Sequence, residues 1–371
     1  MPRGRMARAG RPFAPASGAW AAGGWTETSR EATMVYRIAV NGFGRIGRNY
    51  LRVLIGQGLF DEGIQVVAVN DLWDSATLAH LLEYDSTFGR FGFDVGHDDG
   101  ALSVGGHRIA TYAERQPDAL PWADLGVDLV IESTGKLRRR DDAALHLKAG
   151  AKRVLISAPG TGADAMLVPG VNASQYDPVR HQIVSAASCT TNCVAPLVKV
   201  VHEVFGIERG YLTTVHAYTN DQNVLDGPHK DPRRARAAGV NIIPTSTGAA
   251  KAVGLVLPEL AGRLDGVALR VPVVDGSISD LALQLATDVT AAQINEAVAT
   301  AAAAAPMHGI IRYTEAPMVS TDIVGDPASC VFDASLTQAS GRFVKIFGWY
   351  DNEWGYTHRL VDLTKQMRAA R

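Results

Sequence analysis

The stretch VYRIAVNGFGRIGRNYLRVLIGQG, residues 35–58, decides the fold. A short apolar strand leads into a turn with the spacing Gly42-x-Gly44-x-x-Gly47, and a helical pattern begins directly after it. In such a turn one glycine allows the tight bend, one lets the backbone approach a pyrophosphate, and one lets helix and strand pack closely. The unpaired N–H groups of the helix then face the phosphates. The stretch therefore predicts a dinucleotide site at the start of a parallel sheet.

The second apolar strand, IQVVAVN, ends beside Asp71. Dinucleotide sites place an acidic residue about 20 residues beyond the glycine turn, where it meets the adenosine ribose hydroxyls. A carboxylate there repels a 2′-phosphate, so Asp71 favours NAD over NADP. The alternative is a tight turn followed by an ordinary acidic residue at a strand end.

Apolar strands and helical patterns continue to alternate up to about residue 188. VDLVIESTG and AKRVLISAPG are further strands, and DSATLAHLLEY is one of the helices between them. This alternation predicts an α/β fold with a Rossmann-type, doubly wound parallel sheet. The later segments YLTTVHAY and GRFVKIFGWYDNEWG alternate with period two, which predicts a mostly antiparallel sheet in a second, α+β catalytic domain.

These patterns divide the chain into parts. We expect an NAD-binding domain over residues 34–188, completed by a C-terminal helix over 353–371, and a catalytic domain over 189–352. Residues 1–33 are rich in Arg, Ala, Gly and Pro and lack hydrophobic periodicity, which indicates a disordered extension. A transit peptide, or a start codon placed too early with Met34 as the true start, are the other interpretations of this head.

The bulk composition bounds the function classes. The chain has 371 residues, 47% apolar residues, 20% charged residues and a net charge of -2, a profile typical of a soluble globular protein with room for two domains. Nothing in this charge balance indicates nucleic acid as a partner, and no apolar run approaches the length of a membrane span. Three cysteines argue against a disulfide framework and for a reducing compartment, so we expect a cytoplasmic protein.

The stretch SAASCTTNCVAP, residues 185–196, places two cysteines where a strand gives way to a helix. A metal site needs three or four ligands, and Cys330 is distant in sequence, so we expect no metal. A disulfide between positions four apart on one helix requires distortion. A nucleophile remains for Cys189, because a helix start stabilises a thiolate. Cys193 is then a buried thiol or, less simply, an oxidation-resolving partner.

His216, in YLTTVHAYTND, is the best candidate for a base beside Cys189, although a lone His on a strand is usually structural. A thiolate beside NAD can add to an aldehyde to form a hemithioacetal. Loss of hydride to the nicotinamide then leaves a thioester, which water, a thiol or phosphate can discharge.

Basic residues identify candidate anion contacts for such chemistry. DPRRARAAG supplies Arg233, Arg234 and Arg236, although a charge run of this kind is also typical of a solvated or interface surface. TSTGAAKA supplies hydroxyl groups and a helix start. Arg270, in ALRVPV, lies between apolar neighbours and therefore needs a charged partner.

Together these motifs resemble the phosphorylating glyceraldehyde-3-phosphate dehydrogenase family, from about Val35 to the C-terminus. The resemblance rests on many long motifs in order: NGFGRIGRN, VNDL, LLEYDSTFGRF, ESTG, ISAP, SCTTNC, TTVHAYTNDQ, RRARAA, IIPTSTGAAKAVG, RVP and WYDNEWGY. It implies that Cys189 is the nucleophile and His216 the base, and that Asn352 holds the nicotinamide carboxamide. The implied cofactor contacts are Gly42, Gly44, Arg45, Ile46, Gly47, Asp71, Arg115, Ser157 and Asn352. The implied contacts to the substrate and to the attacking phosphate are Ser188, Thr190, Thr219, Arg234, Thr247, Gly248 and Arg270.

The resemblance also implies partners. The substrate would be glyceraldehyde 3-phosphate, with inorganic phosphate as co-substrate, in glycolysis or gluconeogenesis. Residues 217–241 resemble the S-shaped loop that lies at a subunit interface of the family, so a homotetramer is implied.

Three departures from the family pattern accompany the resemblance. Gly227 precedes Pro228 where NAD-specific members usually carry Leu, which leaves NADP open as a cofactor. RVPVVDGSISD replaces the commoner RVPTPNVSVVD, and because the Arg is kept we expect little effect on the chemistry. Residues 1–33 have no counterpart in the family.

Two other functions compete with this interpretation. Erythrose-4-phosphate dehydrogenase shares the Cys and His but tends to depart from the YTND and STGAA patterns, both of which this chain keeps. A catalytically idle binding protein on the same fold would be expected to lose Cys189, His216 or Arg270, and all three are present. A cysteine hydrolase without a cofactor leaves the glycine turn and Asp71 unexplained.

Overall fold

Two β-sheets organise residues 35–370, the part of the chain that the computed structural model describes. The predicted extension over residues 1–33 lies outside the described residues, as do Met34 and Arg371. Within residues 35–370 no helix has the length and apolar character needed to cross a membrane.

The first sheet has the strand order β3-β4-β5-β2-β1-β6-β7-β9-β8. The run from β5 to β8 is parallel, and β3 and β4 extend it as an antiparallel edge. Its strands are β1 (Tyr36–Asn41), β2 (Ile64–Asn70), β3 (Val95–Asp98), β4 (Ala101–Val104), β5 (His107–Tyr112), β6 (Leu129–Glu132), β7 (Arg153–Ile156), β8 (Ala165–Met166) and β9 (Ile183–Ser185). The central strands β1 and β6 are buried almost throughout, as parallel strands covered on both faces must be.

Helices cover both faces of this sheet. Those of the first half are α1 (Arg45–Gly56), α2 (Ser75–Glu83), α3 (Arg140–Ala143) and α4 (Leu145–Lys148). The last helix, α8 (Trp354–Ala369), returns to the same sheet and packs along α1. Its Leu360 and Met367 are fully buried in the core that surrounds β1, and Tyr50 of α1 shares a 2.8 Å hydrogen bond with Thr364.

The second sheet has the order β11-β12-β10-β13-β17-β15-β14, with β16 paired to β17. Its strands are β10 (Ile207–Ala217), β11 (Ile243–Ser246), β12 (Leu264–Val271), β13 (Ser277–Leu285), β14 (Ile311–Thr314), β15 (Cys330–Asp333), β16 (Gln338–Ser340) and β17 (Phe343–Tyr350). Most pairings are antiparallel, and β10–β12 and β14–β15 are parallel. The helices α5 (Cys189–Phe205), α6 (Ala249–Val256) and α7 (Ala291–Ala302) cover one face.

Two helices are shorter than their sequence patterns predict. The pattern STGAAKAVGLVLPELAG predicts a helix across its length, but α6 ends at Val256, two residues before Pro258. The alanine run at residues 301–305 predicts helix, yet α7 ends at Ala302, ahead of Pro306. The ring of a proline disfavours helical backbone in the residue before it, which explains why α6 ends ahead of Leu257 and why α7 cannot continue through Ala305.

Candidate active site

The connection from β9 to α5 holds Cys189 in a tightly determined turn. Ala187 adopts a left-handed φ of 57°, which is uncommon for a residue with a Cβ. The strain is compensated locally, because Asn192 donates to the carbonyls of Ala186 and Ser188 and Tyr356 donates to the carbonyl of Ala187. Cys189 is therefore presented at a fixed position as the first residue of α5.

Ser188 gives that helix its N-cap. Its Oγ accepts a 3.0 Å hydrogen bond from the backbone N–H of Thr191, so one of the free donors of the first turn is satisfied. The other N–H groups of the turn remain available near the thiol. Ser188 and Cys189 both line the cleft between the two sheets.

His216 meets the thiol from the second sheet. It lies near the end of β10, and its Nε2 is 3.5 Å from Sγ of Cys189. The alternation of β10 turns His216 inward, and the residue is 4% exposed. The pairing predicted from two distant segments of sequence is thus present as a contact between a nucleophile and a base.

The tautomer of His216 follows from its other nitrogen. Nδ1 is 2.6 Å from the carbonyl oxygen of Ala217, which can only accept, so Nδ1 carries the proton. Nη1 of Arg270 lies 2.8 Å from Nδ1 and 2.9 Å from the same carbonyl oxygen. With the proton on Nδ1, Nη1 donates to the carbonyl. Nε2 is left with its lone pair facing Cys189, the arrangement that a general base requires.

Burial controls the charge of both groups. Desolvation, reinforced by the positive charge of Arg270, lowers the pKa of His216 from its ordinary 6.5 to about 3. Desolvation raises the pKa of the Cys189 thiol, while Arg270 and hydrogen bonds from Thr190 act in the opposite direction. Burial therefore opposes the stabilisation of a thiolate that the helix start provides, and a neutral thiol faces a neutral imidazole.

Arg270 fits an anion site. It lies on β12, directly beside His216 in the parallel pairing of β10 with β12. No ion pair within residues 35–370 includes Arg270, and its buried Nε has no hydrogen-bond partner there. Desolvation consequently lowers its pKa. A cation held this way beside the cleft favours binding of a negatively charged ligand.

Tyr350 joins the two catalytic elements behind the site. Its hydroxyl shares hydrogen bonds with Thr190 of α5 at 2.9 Å and with Thr214 of β10 at 2.8 Å. Its ring also packs edge-on against His216. The side chain of Thr190, one of the predicted substrate contacts, is buried between Tyr350 and the thiol.

The cofactor end of the cleft is built by the glycine turn. Gly42 has a left-handed φ of +91°, and a Cβ there would lie 2.6 Å from the N of Thr134. A Cβ on Gly47 would strike the carbonyl of Gly42, whereas one on Gly44 would meet nothing within 4 Å. Gly44 thus leaves an open approach to α1, whose N-cap carries no side-chain hydrogen bond. Uncapped N–H groups beside an open backbone surface fit a pyrophosphate.

Asp71 and Arg115 line a hollow next to this turn, together with Gly42 and Gly44. The Oδ2 of Asp71 accepts a 2.8 Å hydrogen bond from the N–H of Phe43. This bond fixes the carboxylate against the turn and leaves Oδ1 for another donor, as a partner of ribose hydroxyls requires. Arg115 is exposed at the rim of the same hollow.

Arg45 and Asn352 are held by partners in the cleft. The Arg45 guanidinium pairs with Asp85 and, at 2.5 to 3.0 Å, with Glu353, so its charge is already neutralised and its backbone is the part free to contact a phosphate. Ser277 accepts a hydrogen bond from Ala217 N–H and must therefore donate to Oδ1 of Asn352, at 2.6 Å. The Asn352 amide N–H groups then remain for a carboxamide oxygen. Ile46 and Ser157 line the cleft beside them.

The remaining predicted residues fall into two groups. Thr219 lines the same cleft as Cys189 and His216. Thr247 and Gly248 precede α6, where Thr247 accepts a 3.2 Å hydrogen bond from Ala249 N–H. Arg234 donates to Thr245 at 2.8 Å and pairs with Asp221 at the cleft edge. Three of these residues do not line the cleft around Cys189: Arg234, Thr247 and Gly248.

Comparison with known proteins agrees with this arrangement. Residues 36–140 match the family model of the glyceraldehyde 3-phosphate dehydrogenase NAD binding domain, and residues 188–352 match that of its C-terminal domain. The glyceraldehyde-3-phosphate dehydrogenase of Streptomyces coelicolor is 57% identical over 332 residues, which cover 89% of this chain and 98% of that protein. Glyceraldehyde-3-phosphate dehydrogenase 2 of Streptomyces arenae is 58% identical over 330 residues, and the Mycobacterium bovis protein 55% over 335, with 89% and 98% covered in each case.

The chain belongs to the glyceraldehyde-3-phosphate dehydrogenase family. This confirms the resemblance seen in the motifs, and the predicted fold class with it. The family's NAD binding domain contains the glycine turn, and its C-terminal domain contains Cys189, His216 and Arg270.

Several residues of this site were not found from sequence. Ser277, which orients Asn352, and Tyr350, which ties α5 to β10, carry no signal of their own in the sequence. Glu353 lies in the quoted motif WYDNEWGY but was given no role.

The other two cysteines lie away from the cleft. Cys330, distant in sequence, packs beside Cys193 in the core, where both thiols are buried and free. Among the described residues no group of His, Cys, Asp and Glu is arranged to hold a metal ion.

Proposed function

We propose that this member of the family oxidises glyceraldehyde 3-phosphate to 1,3-bisphosphoglycerate with NAD and inorganic phosphate. The observation that carries the proposal is the contact of 3.5 Å between Cys189 Sγ and His216 Nε2, in a cleft that also contains the glycine turn. Glycolysis or gluconeogenesis is the corresponding pathway, and as a member of this family the protein is an NAD-dependent oxidoreductase.

The first step is addition of the thiol to the substrate. The Sγ–H proton passes to Nε2 of His216 while Sγ forms a bond to the aldehyde carbon, and His216 then returns this proton to the aldehyde oxygen, which gives a neutral hemithioacetal on Cys189 and a neutral imidazole. The developing oxyanion can accept from backbone N–H groups of the first turn of α5. Desolvation and the charge of Arg270 both lower the pKa of His216. A substrate phosphate at Arg270 would offset the second of these effects, and His216 would become a stronger base.

The second step leaves a thioester. The glycine turn, Asp71 and Asn352 would hold NAD, whose nicotinamide would supply the acceptor for the hydride that leaves the hemithioacetal carbon. His216 takes the hydroxyl proton, so the carbon–oxygen double bond forms while Sγ stays attached. A phosphate oxygen then attacks the thioester carbon, the carbon–sulfur bond breaks, and the thiolate recovers a proton from His216.

We assign the binding roles by position. Gly42, Gly44 and Gly47 with the backbone of Arg45 and Ile46 would hold the pyrophosphate, and Asp71 the ribose. Further cofactor contacts are proposed for Arg115, Ser157 and Asn352. Thr219 and Arg270 would bind the C3 phosphate. Ser188, Thr190, Arg234, Thr247 and Gly248 would complete the substrate and attacking-phosphate sites, of which the last three would form the outer part.

We also propose the assembly and its setting. The outward face of the second sheet exposes Tyr211 on β10 and Val267 on β12, and the nearby Val240 and Ile242 are 79% and 67% exposed. Apolar side chains grouped in this way favour a subunit interface, and with the loop over residues 217–241 they support a homotetramer. A cytoplasmic location is consistent with three free cysteines. We retain residues 34–188 with 353–371, and 189–352, as the two domains.

Steady-state reduction of NAD tests the proposal. We expect absorbance at the nicotinamide band to rise with glyceraldehyde 3-phosphate, NAD and phosphate together, and to stop after one turnover when phosphate is omitted. Sustained reduction without phosphate would instead support release to water and the erythrose 4-phosphate alternative. No reduction with either cofactor would support a binding protein.

A parallel assay with NADP tests the cofactor preference. Asp71 predicts a preference for NAD, since its carboxylate repels a 2′-phosphate. Gly227 removes the Leu that usually adds to this exclusion, so weak use of NADP is expected, and Gly227→Leu should suppress it without changing the kcat with NAD. Equal use of both cofactors would contradict the role given to Asp71.

A further inference from the structure

The segment RVPVVDGSISD departs from the commoner family pattern at the start of β13. Asp275 stands where that pattern has Asn, and Gly276 where it has Val. Gly276 has a left-handed φ of +83°, and a Cβ there would collide with the carbonyl oxygen of Ser320. The two changes are therefore linked, because the backbone that carries Asp275 inward requires glycine next to it.

Asp275 is directed into the interior beside a second carboxyl group. It is 1% exposed, as is Asp351. Oδ1 of Asp275 accepts from Gly276 N–H at 2.8 Å, while its buried Oδ2 receives no hydrogen bond from the described residues. Among the neighbouring charged groups, the carboxyl of Asp351 acts on Asp275 most strongly. Two buried carboxylates in contact repel each other, whereas one proton between them forms a strong hydrogen bond.

The surrounding donors decide which group keeps the proton. Asp351 accepts three backbone hydrogen bonds, from Glu353 at 2.8 Å, Trp354 at 2.6 Å and Gly325 at 2.8 Å. These bonds stabilise Asp351 as the carboxylate. Burial raises the pKa of both carboxyl groups, and the negative charges of Asp351 and Glu353 raise that of Asp275 further. Because only Asp351 is offset by three backbone donors, Asp275 keeps the proton and donates it. The Cys189 thiol is the titratable group that faces Asp275 from α5.

Asp351 is followed by Asn352 and Glu353, which form a corner of the chain that reaches two parts of the proposed cofactor site. Asn352 is the next residue, already fixed by Ser277 only two positions after Asp275. Glu353 follows, and its carboxylate accepts hydrogen bonds from Arg45 at the start of α1. We propose that Asp275 is a positioning residue, a carboxylic acid that donates its proton to Asp351 and so fixes the Asn352–Glu353 corner against the cofactor. This inference rests on the proposed function, since it assigns NAD to that corner.

The proposal predicts an alkaline loss of cofactor affinity that belongs to Asp275. When Asp275 ionises, the two adjacent carboxylates repel each other and displace the Asn352–Glu353 corner. A loss of about 1.4 kcal/mol in the free energy of NAD binding corresponds to an affinity about tenfold weaker. We therefore expect the KM for NAD of the native protein to rise about tenfold between about pH 7 and about pH 10. Asp275→Asn keeps a donor to Asp351 but has no titrating proton, so its KM should match the native value at neutral pH and stay level.

Two further variants separate this role from mere packing. Asp275→Ala removes the donor and should raise the KM for NAD at neutral pH more than it lowers kcat. Asp280→Asn, on the same strand and paired with Lys345, makes the same chemical change away from the corner and should leave the native alkaline profile unchanged. Infrared absorption of a protonated carboxyl group should be present in the native protein and lost in Asp275→Asn.

Calorimetric NAD binding across the same pH range keeps the two proposals distinguishable. If the native protein binds NAD but does not oxidise glyceraldehyde 3-phosphate, the proposed function fails while the Asp275 profile is still measured. The positioning role is overturned if the NAD affinity of Asp275→Asn falls at alkaline pH as that of the native protein does. It is also overturned if Asp275→Ala binds NAD as tightly as the native protein at neutral pH.

Discussion

Cys189 carries the chemistry at the residue scale. We expect Cys189→Ser to reduce turnover by at least about 10³-fold, because a hydroxyl beside a weak base is a poor nucleophile toward an aldehyde. NAD binding, measured by calorimetry, should be retained since Cys189 supplies none of the proposed pyrophosphate or ribose contacts. Cys193→Ala is the matched control: this thiol packs in the core beside Cys330 and should be dispensable for turnover. Retained activity in Cys189→Ser would contradict the assignment.

His216 gives a prediction about acid stability. Its pKa is lowered from 6.5 to about 3, so between these values the unfolded chain binds more protons than the folded one. The folded state consequently loses stability as the pH falls below about 6.5, by up to about 1.4 kcal/mol per pH unit from this residue. Urea unfolding at several pH values should show a shallower acid loss in His216→Asn than in the native protein. Identical slopes would mean that His216 is not held neutral by burial.

The element that reads most directly from sequence is the glycine turn, and it yields a matched pair of variants. Gly42→Ala places a Cβ 2.6 Å from the backbone of Thr134 at a φ of +91°, so it should destabilise the fold by a few kcal/mol. Gly44→Ala meets no protein atom within 4 Å and should leave the melting temperature nearly unchanged.

The two variants differ in what they do to NAD. Gly44→Ala should weaken NAD binding about tenfold or more in calorimetry, because its methyl group occupies the surface that a pyrophosphate needs. Unchanged NAD affinity in a folded Gly44→Ala protein would place the cofactor elsewhere.

Tyr350 tests how strand and helix are joined behind the site. Removing its hydroxyl in Tyr350→Phe leaves Thr190 of α5 and Thr214 of β10 without their shared partner, at a cost of about 1–3 kcal/mol. Since these elements carry Cys189 and His216, we expect kcat to fall together with the melting temperature. Tyr313→Phe, whose hydroxyl bonds Glu315 near the surface, should change neither. A stable Tyr350→Phe protein with full kcat would show that the link is dispensable.

At the scale of the whole molecule, local sequence patterns predicted the fold better than they predicted the detailed contacts of the site. The glycine spacing and the strand alternation were sufficient for the two-sheet fold, because burial on one or both faces leaves period-specific signals in sequence. Cys189 and His216 were found because their types imply chemistry. The link between Asp275 and Asp351, and the position of Cys330 beside Cys193, depend on contacts between distant segments, which no local pattern encodes.

Other residues show the same limit from the opposite side. Thr190 lies in a motif that indicates substrate contact, and tertiary packing also gives its hydroxyl a partner in Tyr350 that the motif does not encode. The thiol of Cys189 stands at a helix start that favours a thiolate, yet desolvation outweighs that effect. Both outcomes depend on what surrounds a residue in three dimensions.

Trapping of the acyl intermediate tests the central claim most directly. The native protein would be mixed with glyceraldehyde 3-phosphate and NAD without phosphate, quenched in acid, and examined by mass spectrometry of the peptide that contains Cys189. We predict one acyl group per chain on Cys189, formed with an equal amount of NADH and discharged when phosphate is added before the quench. Continued NADH formation without phosphate, or a peptide that carries no acyl group, would contradict a thioester that waits for phosphate.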